Sequence, residues 1–218
     1  MINVLLIDDH AVVRTGYRRL LETQPHIRIL AEAATAEEGR RLYFEQHPDV
    51  VVMDISMPGI GGIEGIRRIL SRDAAARILI CSIHDNSLLA DRALQSGALG
   101  YVTKSSDPEV LVKAVENVGR GKVFLGPDIA QALALKHLEK ENSPLAVLSP
   151  REFEIFRLVA DGRSGNTIAD RLCLSSKTVS NYLSQIKKKL DVSSTAELVH
   201  LAMRHGLLND FEEGGSSS

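Results

Sequence analysis

Five short apolar runs recur through the first 120 residues: Asn3–Ile7, Ile27–Ala33, Val50–Met53, Ile78–Ser82 and Gly100–Thr103. They are rich in Val, Ile and Leu and most are continuous rather than alternating with polar residues, which indicates a sheet covered on both faces. Helical patterns separate them, near Val12–Glu22, Ala36–Gln46, Ile63–Leu70, Leu88–Ser96 and Pro108–Gly119. The last opens on Asp107 as N-cap with Pro108 in the first turn. Strands alternating with helices predict an α/β fold, a doubly wound five-stranded parallel sheet over residues 1–120.

The polar residues closing these runs matter next. Asp8 and Asp9 follow the first run, Asp54 the third, Ser82 ends the fourth and Lys104 follows the fifth. In an open parallel sheet the carboxyl ends of the strands share one edge, where ligands bind. Three carboxylates, a hydroxyl and an ammonium therefore converge. An Asp carboxylate can be the nucleophile that forms an aspartyl-phosphate, and Asp54, on the central strand, is placed for that. Asp8 and Asp9 supply oxygen ligands for Mg²⁺. Ser82 and Lys104 can hold the remaining phosphoryl oxygens. Each residue alone has a bland reading as a loop, cap or solvated charge; their ordered recurrence at successive strand ends is what makes a pocket.

A chain of 218 residues is long enough for two domains. Only 4% of residues are aromatic and none is Trp, which argues against a stacking platform for single-stranded nucleic acid. Net charge is −2, yet residues 146–208 carry nine Lys and Arg against six Asp and Glu. Cys81 and Cys173 each lie in an apolar run of a different expected domain and read as buried thiols of a reducing compartment. The start MINVLLIDDH turns acidic after four consecutive apolar residues, unlike a signal peptide. No run is long enough to span a bilayer. A cytoplasmic protein without membrane attachment is expected.

Residues 121–147 read as a linker, helical over Ile129–Glu139 and broken by polar residues at Glu141–Pro144. From 148 to 208 the pattern is all-α, with helices at Pro150–Asp161, Gly165–Leu172, Lys177–Leu190 and Ser194–His205. Ser149, Ser164, Ser175 and Ser193 are the N-cap candidates. Ile168, Ala169 and Leu172 share one face, Leu174–Ser176 turns the chain, and Val179, Leu183, Ile186 and Leu190 point inward. That is a helix-turn-helix, whose second helix enters the DNA major groove. This helix has four lysines and no acid; Lys177 and Thr178 at its start suit a phosphate contact. Lys187, Lys188 and Lys189 cannot all face one way. Residues 209–218 form a tail with no assigned structure.

The segments LLIDDH, VVMDISMPGIGGIEGI, ILICSIHD and ALGYVTKSS resemble the receiver domain of two-component response regulators, a flavodoxin-like fold. The resemblance implies Asp54 as phospho-acceptor and Asp8, Asp9, Asp54 and the Ser56 backbone carbonyl as the Mg²⁺ shell. It also implies Ser82 as switch hydroxyl, Lys104 as phosphate-binding lysine and Tyr101 as the aromatic residue that turns inward on activation. Ser105 stands where many receivers have proline, and a cis bond there is costly without proline. LSPRE, the Ala-Asp-Gly turn, IADRL, LSSKTV and KKKL resemble the LuxR-type helix-turn-helix domain. That resemblance implies Lys177, Thr178, Ser180, Asn181, Ser184, Lys187 and Lys188 as DNA contacts and Thr195–Met203 as a dimerisation helix. Gly165-Asn166-Thr167 departs from the usual Asn-Lys-Glu, losing a basic phosphate contact and a capping-box acid.

Together the two halves resemble the NarL/FixJ family, with the LGPDIAQALAL linker and KTVSNY helix most similar to its GacA/UvrY-type branch. The resemblance implies a DNA-binding regulator rather than an enzyme. A sensor histidine kinase and double-stranded promoter DNA are its implied partners, and a homodimer is the implied active form. Two alternatives stand beside it. One is a phosphorylation-independent regulator or interaction module. The other is a small phosphatase with Asp54 as nucleophile, which would ordinarily carry a second acid where this chain has Ser56.

Overall fold

A computed structural model describes residues 1–85, 87–138, 144–205 and 207. The chain divides into two compact units, with the boundary in sequence at residues 141 and 142. The first is a parallel sheet of β1 (Ile2–Ile7), β2 (Ile27–Ala33), β3 (Val50–Met53), β4 (Ile78–Ser82), β5 (Gly100–Thr103) and β6 (Phe124–Leu125). The strand order is β2-β1-β3-β4-β5-β6. The sixth strand corrects the five-strand expectation. Phe124 and Leu125 pair with Gly100 and Tyr101, a stretch too short to show any periodicity in sequence. The order reverses between β1 and β3, and such a switch point opens a crevice at the carboxyl ends of the two strands. Asp8 and Asp54 follow those two strands.

Side chains alternate across the sheet. Val4, Leu6, Val52, Leu79, Cys81 and Val102 form one buried face with Leu21 of α1 (Ala11–Leu21) and Leu111, Ala114, Val115 and Val118 of α5 (Pro108–Gly119). The opposite face is covered by α2 (Ala36–Gln46), α3 (Gly61–Leu70) and α4 (Ser87–Gln95). The packing on that side is close: a Cβ on Gly39 would meet Ile7, and one on Gly65 would meet Met53. The Asp107 carboxylate accepts the Glu109 N–H at 2.8 Å, capping α5. The linker expected at 121–147 adds a helix to this unit as well as β6. α6 (Pro127–Leu138) packs on α4 and β5 through Ile129 and Leu133. The polar break expected around 141 falls mostly outside the described residues. The peptide bond between Lys104 and Ser105 is trans.

The second unit is helical, as its sequence pattern requires. A 3₁₀ turn at Pro144–Val147 leads into α7 (Pro150–Ala160), α8 (Gly165–Leu172), α9 (Ser176–Leu190) and α10 (Thr195–Arg204). α7 packs against α9 and α10, around Phe153, Phe156, Ile168, Val179, Ile186, Leu198 and Ala202, all buried. Ser149 and Glu152 form a reciprocal capping box on α7. Ser164 and Ser175 each accept an N–H from three residues on. The fourth cap is Ser194 and not Ser193. Ser193 instead donates its N–H and hydroxyl to Glu197. Leu183 and Leu190 are half-buried, flanking the fully buried Val179 and Ile186. Cys81 is buried as expected, but Cys173 is exposed. It occupies the turn after α8 with φ 53°, a position that neighbouring apolar residues do not reveal. Among the described residues no helix is long and apolar enough to cross a membrane.

Candidate functional site

The crevice at the switch point brings together Asp8, Asp54 and Lys104. β1 and β3 run in register, Ile7 beside Met53, so the residues following them emerge side by side. Lys104 reaches across from the end of β5. Its Nζ donates to Asp8 Oδ2 at 2.6 Å and to Asp54 Oδ2 at 2.8 Å. All three side chains are at most 10% exposed. Burial works against the charge on Lys104, but the two carboxylates outweigh it and hold the ammonium above its ordinary value. One cation facing two buried anions leaves net negative charge in the crevice.

Asp9 stands at the same turn, with Oδ1 buried. His10, absent from the expected set, lies beside it. Its Nδ1 is 3.2 Å from Asp8 Oδ1 and 3.0 Å from Asp9 Oδ1, and its ring is largely exposed. Donor atoms of Asp8, Asp9, His10 and Asp54 all lie within 4.8 Å of one another. A set dominated by carboxylate oxygen matches the preference of Mg²⁺. The Ser56 N–H donates to Asp54 Oδ1 at 3.1 Å, folding the loop after β3 back over the aspartate. Arg14 of α1 fixes the Asp8–Asp9 turn, donating to the Asp8 carbonyl at 2.5 Å and to Glu32 at 3.2 Å. His10 was legible as the neighbour of two strand-end acids; Arg14, bridging separate elements, had no local signal.

Ser82 and Tyr101 are fully buried. The Ser82 Oγ accepts the His84 N–H at 3.2 Å, and the Tyr101 hydroxyl donates to the His84 carbonyl at 2.9 Å. Both side chains thus hold the backbone of one residue. Tyr101 points inward.

In the second unit the expected DNA-facing residues line one helix. Lys177, Ser180, Asn181, Ser184 and Lys188 are exposed, and Thr178 and Lys187 are half-buried. The hydroxyls of Ser180 and Ser184 donate to carbonyls four residues back, so toward a base edge they offer lone pairs, and Asn181 supplies a donor. Lys189 goes elsewhere. Its Nζ is 2.7 Å from Glu152 Oε2, and the Glu152 side chain is 4% exposed. The departure at Gly165-Asn166-Thr167 has a local use: Asn166 Oδ1 accepts the Ser176 hydroxyl at 2.9 Å and ties α8 to α9.

Comparison with known proteins covers both units. Residues 4–116 match the response regulator receiver domain, and residues 146–202 match the bacterial regulatory proteins of the luxR family. The chain is 42% identical to the response regulator UvrY of Escherichia coli K12 over 211 residues, covering 96% of this chain and 97% of that protein. It is 40% identical to the response regulator GacA of Pseudomonas viridiflava, covering 96% and 99%. Among solved structures, RcsB from Salmonella enterica serovar Typhimurium is similar with a TM-score of 0.70 and 26% identity, covering 92% and 97%. That structure is of RcsB bound to promoter P1flhDC in the presence of the phosphomimetic BeF₃⁻.

Proposed function

The chain belongs to the two-component response regulators of the NarL/FixJ type, in which a receiver domain precedes a LuxR-type DNA-binding domain, and on that premise we propose that Asp54 is its phospho-acceptor. The observation that carries the proposal is the Lys104 ammonium shared between the buried carboxylates of Asp8 and Asp54. The donor is a phosphohistidine of a sensor histidine kinase: its N–P bond breaks as an O–P bond forms on the Asp54 carboxylate. Catalysis then rests on positioning and charge neutralisation. Asp8, Asp9 and Asp54, with the Ser56 carbonyl, would hold Mg²⁺, which when bound supplies positive charge opposite the phosphoryl oxygens. Lys104 turns from the carboxylates to the phosphoryl group, which adds about 1.5–2 negative charges to the site.

Ser82 already accepts the His84 N–H, which leaves its own O–H to donate to a phosphoryl oxygen. A shift of Ser82 moves His84, and Tyr101 is bonded to the same residue. The pair therefore links pocket to surface through one stretch of backbone. Phosphorylation favours dimerisation and binding of double-stranded promoter DNA by the differential affinity of the two states. Lys177, Thr178, Ser180, Asn181, Ser184, Lys187 and Lys188 face the DNA, and α10 joins the copies. A regulator that meets both a kinase and promoter DNA works in the cytoplasm.

The test is labelling with acetyl phosphate and Mg²⁺. The native chain is expected to gain one phosphoryl group by intact mass, and Asp54→Asn none. Undiminished labelling of Asp54→Asn would overturn the assignment.

A further inference from the structure

α6 sits between the two domains in sequence and has no part in the reaction just described, yet its first turn is tied to the strand that carries Tyr101 and ends just before Lys104. The buried Thr103 hydroxyl donates to Asp128 Oδ2 at 2.7 Å. Ser105 and Ser106 place their hydroxyls 3.1 and 2.8 Å from the same Thr103 oxygen. The backbone joins the same region: the Gly126 N–H donates to the Tyr101 carbonyl, and the Lys104 N–H to the Ser82 carbonyl. The approach is tight, since a Cβ on Gly126 would lie 2.8 Å from Asp128 Oδ1. Ile129 and Leu133 then fix the helix on β5 and α4.

An acid in the first turn of a helix has an ordinary explanation, its interaction with the helix dipole. That interaction does not require the hydroxyl of the residue preceding Lys104. We infer that Asp128 is a positioning residue that carries the state of the Asp54 pocket into α6. The inference rests on the reading of Asp54 as phospho-acceptor. When Lys104 leaves Asp8 and Asp54 for a phosphoryl oxygen, the backbone at 103–105 moves with it. The Thr103–Asp128 bond passes that movement to the start of the helix leading to the DNA-binding unit.

The experiment follows amide hydrogen exchange across residues 127–138 in the full chain, before and after acetyl phosphate with Mg²⁺. Asp54 labelling is measured by mass in the same samples. In the native chain phosphorylation is expected to change α6 exchange by roughly five- to tenfold, the scale of one hydrogen bond. Asp128→Ala and Thr103→Val should reach the same extent of labelling and lose most of that change. Asp128→Asn, whose amide oxygen still accepts from Thr103, should keep it. A merely structural role would raise exchange equally in both states and leave the difference intact, and that result overturns the inference. If the native chain takes up no phosphoryl group, the phospho-acceptor reading and the inference fall together. If it is labelled but α6 does not respond, the inference alone falls.

Discussion

Lys104 is one ammonium divided between two buried carboxylates, so it holds the pocket together whether or not it also meets the proposed phosphoryl group. Removing it leaves Asp8 and Asp54 as adjacent, poorly solvated anions. Breaking a buried pair in this way costs about 3 kcal/mol, and a divalent cation at the same acids offsets part of that. Lys104→Ala should therefore melt lower than the native chain without cation and gain more from Mg²⁺. Equal Mg²⁺ shifts in thermal unfolding would show that Lys104 does not neutralise the pocket. Glu152 presents the converse case, a buried carboxylate with a cation of its own. Burial opposes its charge, but hydrogen bonds from Lys189 and Ser149 outweigh burial and hold its carboxyl below the ordinary value. Because the folded value is the lower one, the stabilisation is fully present above the unfolded value of about 4.3 and is lost as pH falls through the folded one. Replacing Glu152 with Gln should destabilise by a constant amount above about pH 5, and the difference should shrink below about pH 4. Denaturant midpoints against pH check this; a gap that does not narrow in acid would remove the pair from the account.

The strands and helices were legible because each rests on local residues: a run rich in Val, Ile and Leu makes a strand, and Asp107-Pro108 supplies an N-cap and a first helical position side by side. The Asp54 pocket was legible for the same reason, because parallel strands deliver their last residues to one edge. What escaped depends on contacts between elements. Phe124 and Leu125 become a strand only because β5 has an open edge to pair with. Cys173 sits among apolar residues yet adopts a left-handed turn and faces solvent. Gly61-Gly62 gave no hint of its packing. A Cβ on Gly62 would lie 2.5 Å from the Asp54 carbonyl oxygen and 2.6 Å from the Ile55 Cα. Both are backbone atoms and cannot rotate away, so α3 would have to retreat from the end of β3 and from Asp54. Gly62→Ala should cost about 2 kcal/mol or more and slow labelling of Asp54 by acetyl phosphate. Native stability with native labelling would show that the helix start adjusts freely.

The chain as a whole carries a net charge of −2, so attraction to DNA must come from where its cations are placed. α9 gathers Lys177, Lys187, Lys188 and Lys189 without an acid, but these four are not equivalent. Lys189 is held by the buried Glu152 of α7, whereas Lys177 and Lys188 are exposed and carry no ion pair among the described residues. A cation that neutralises a DNA phosphate releases condensed counterions, and each such contact adds about 0.9 to the slope of log affinity against log salt. Lys188→Ala and Lys177→Ala should each weaken binding across all sequences and flatten that slope by about 1 per protomer. Lys189→Ala should leave the slope unchanged and lower the stability of the DNA-binding unit, because the buried Glu152 loses its counter-charge. The comparison uses one promoter fragment titrated at several salt concentrations with denaturant unfolding in parallel. A slope that falls equally in the Lys188 and Lys189 variants would mean that the Glu152 pair opens on DNA, and the division of labour along α9 would have to be redrawn.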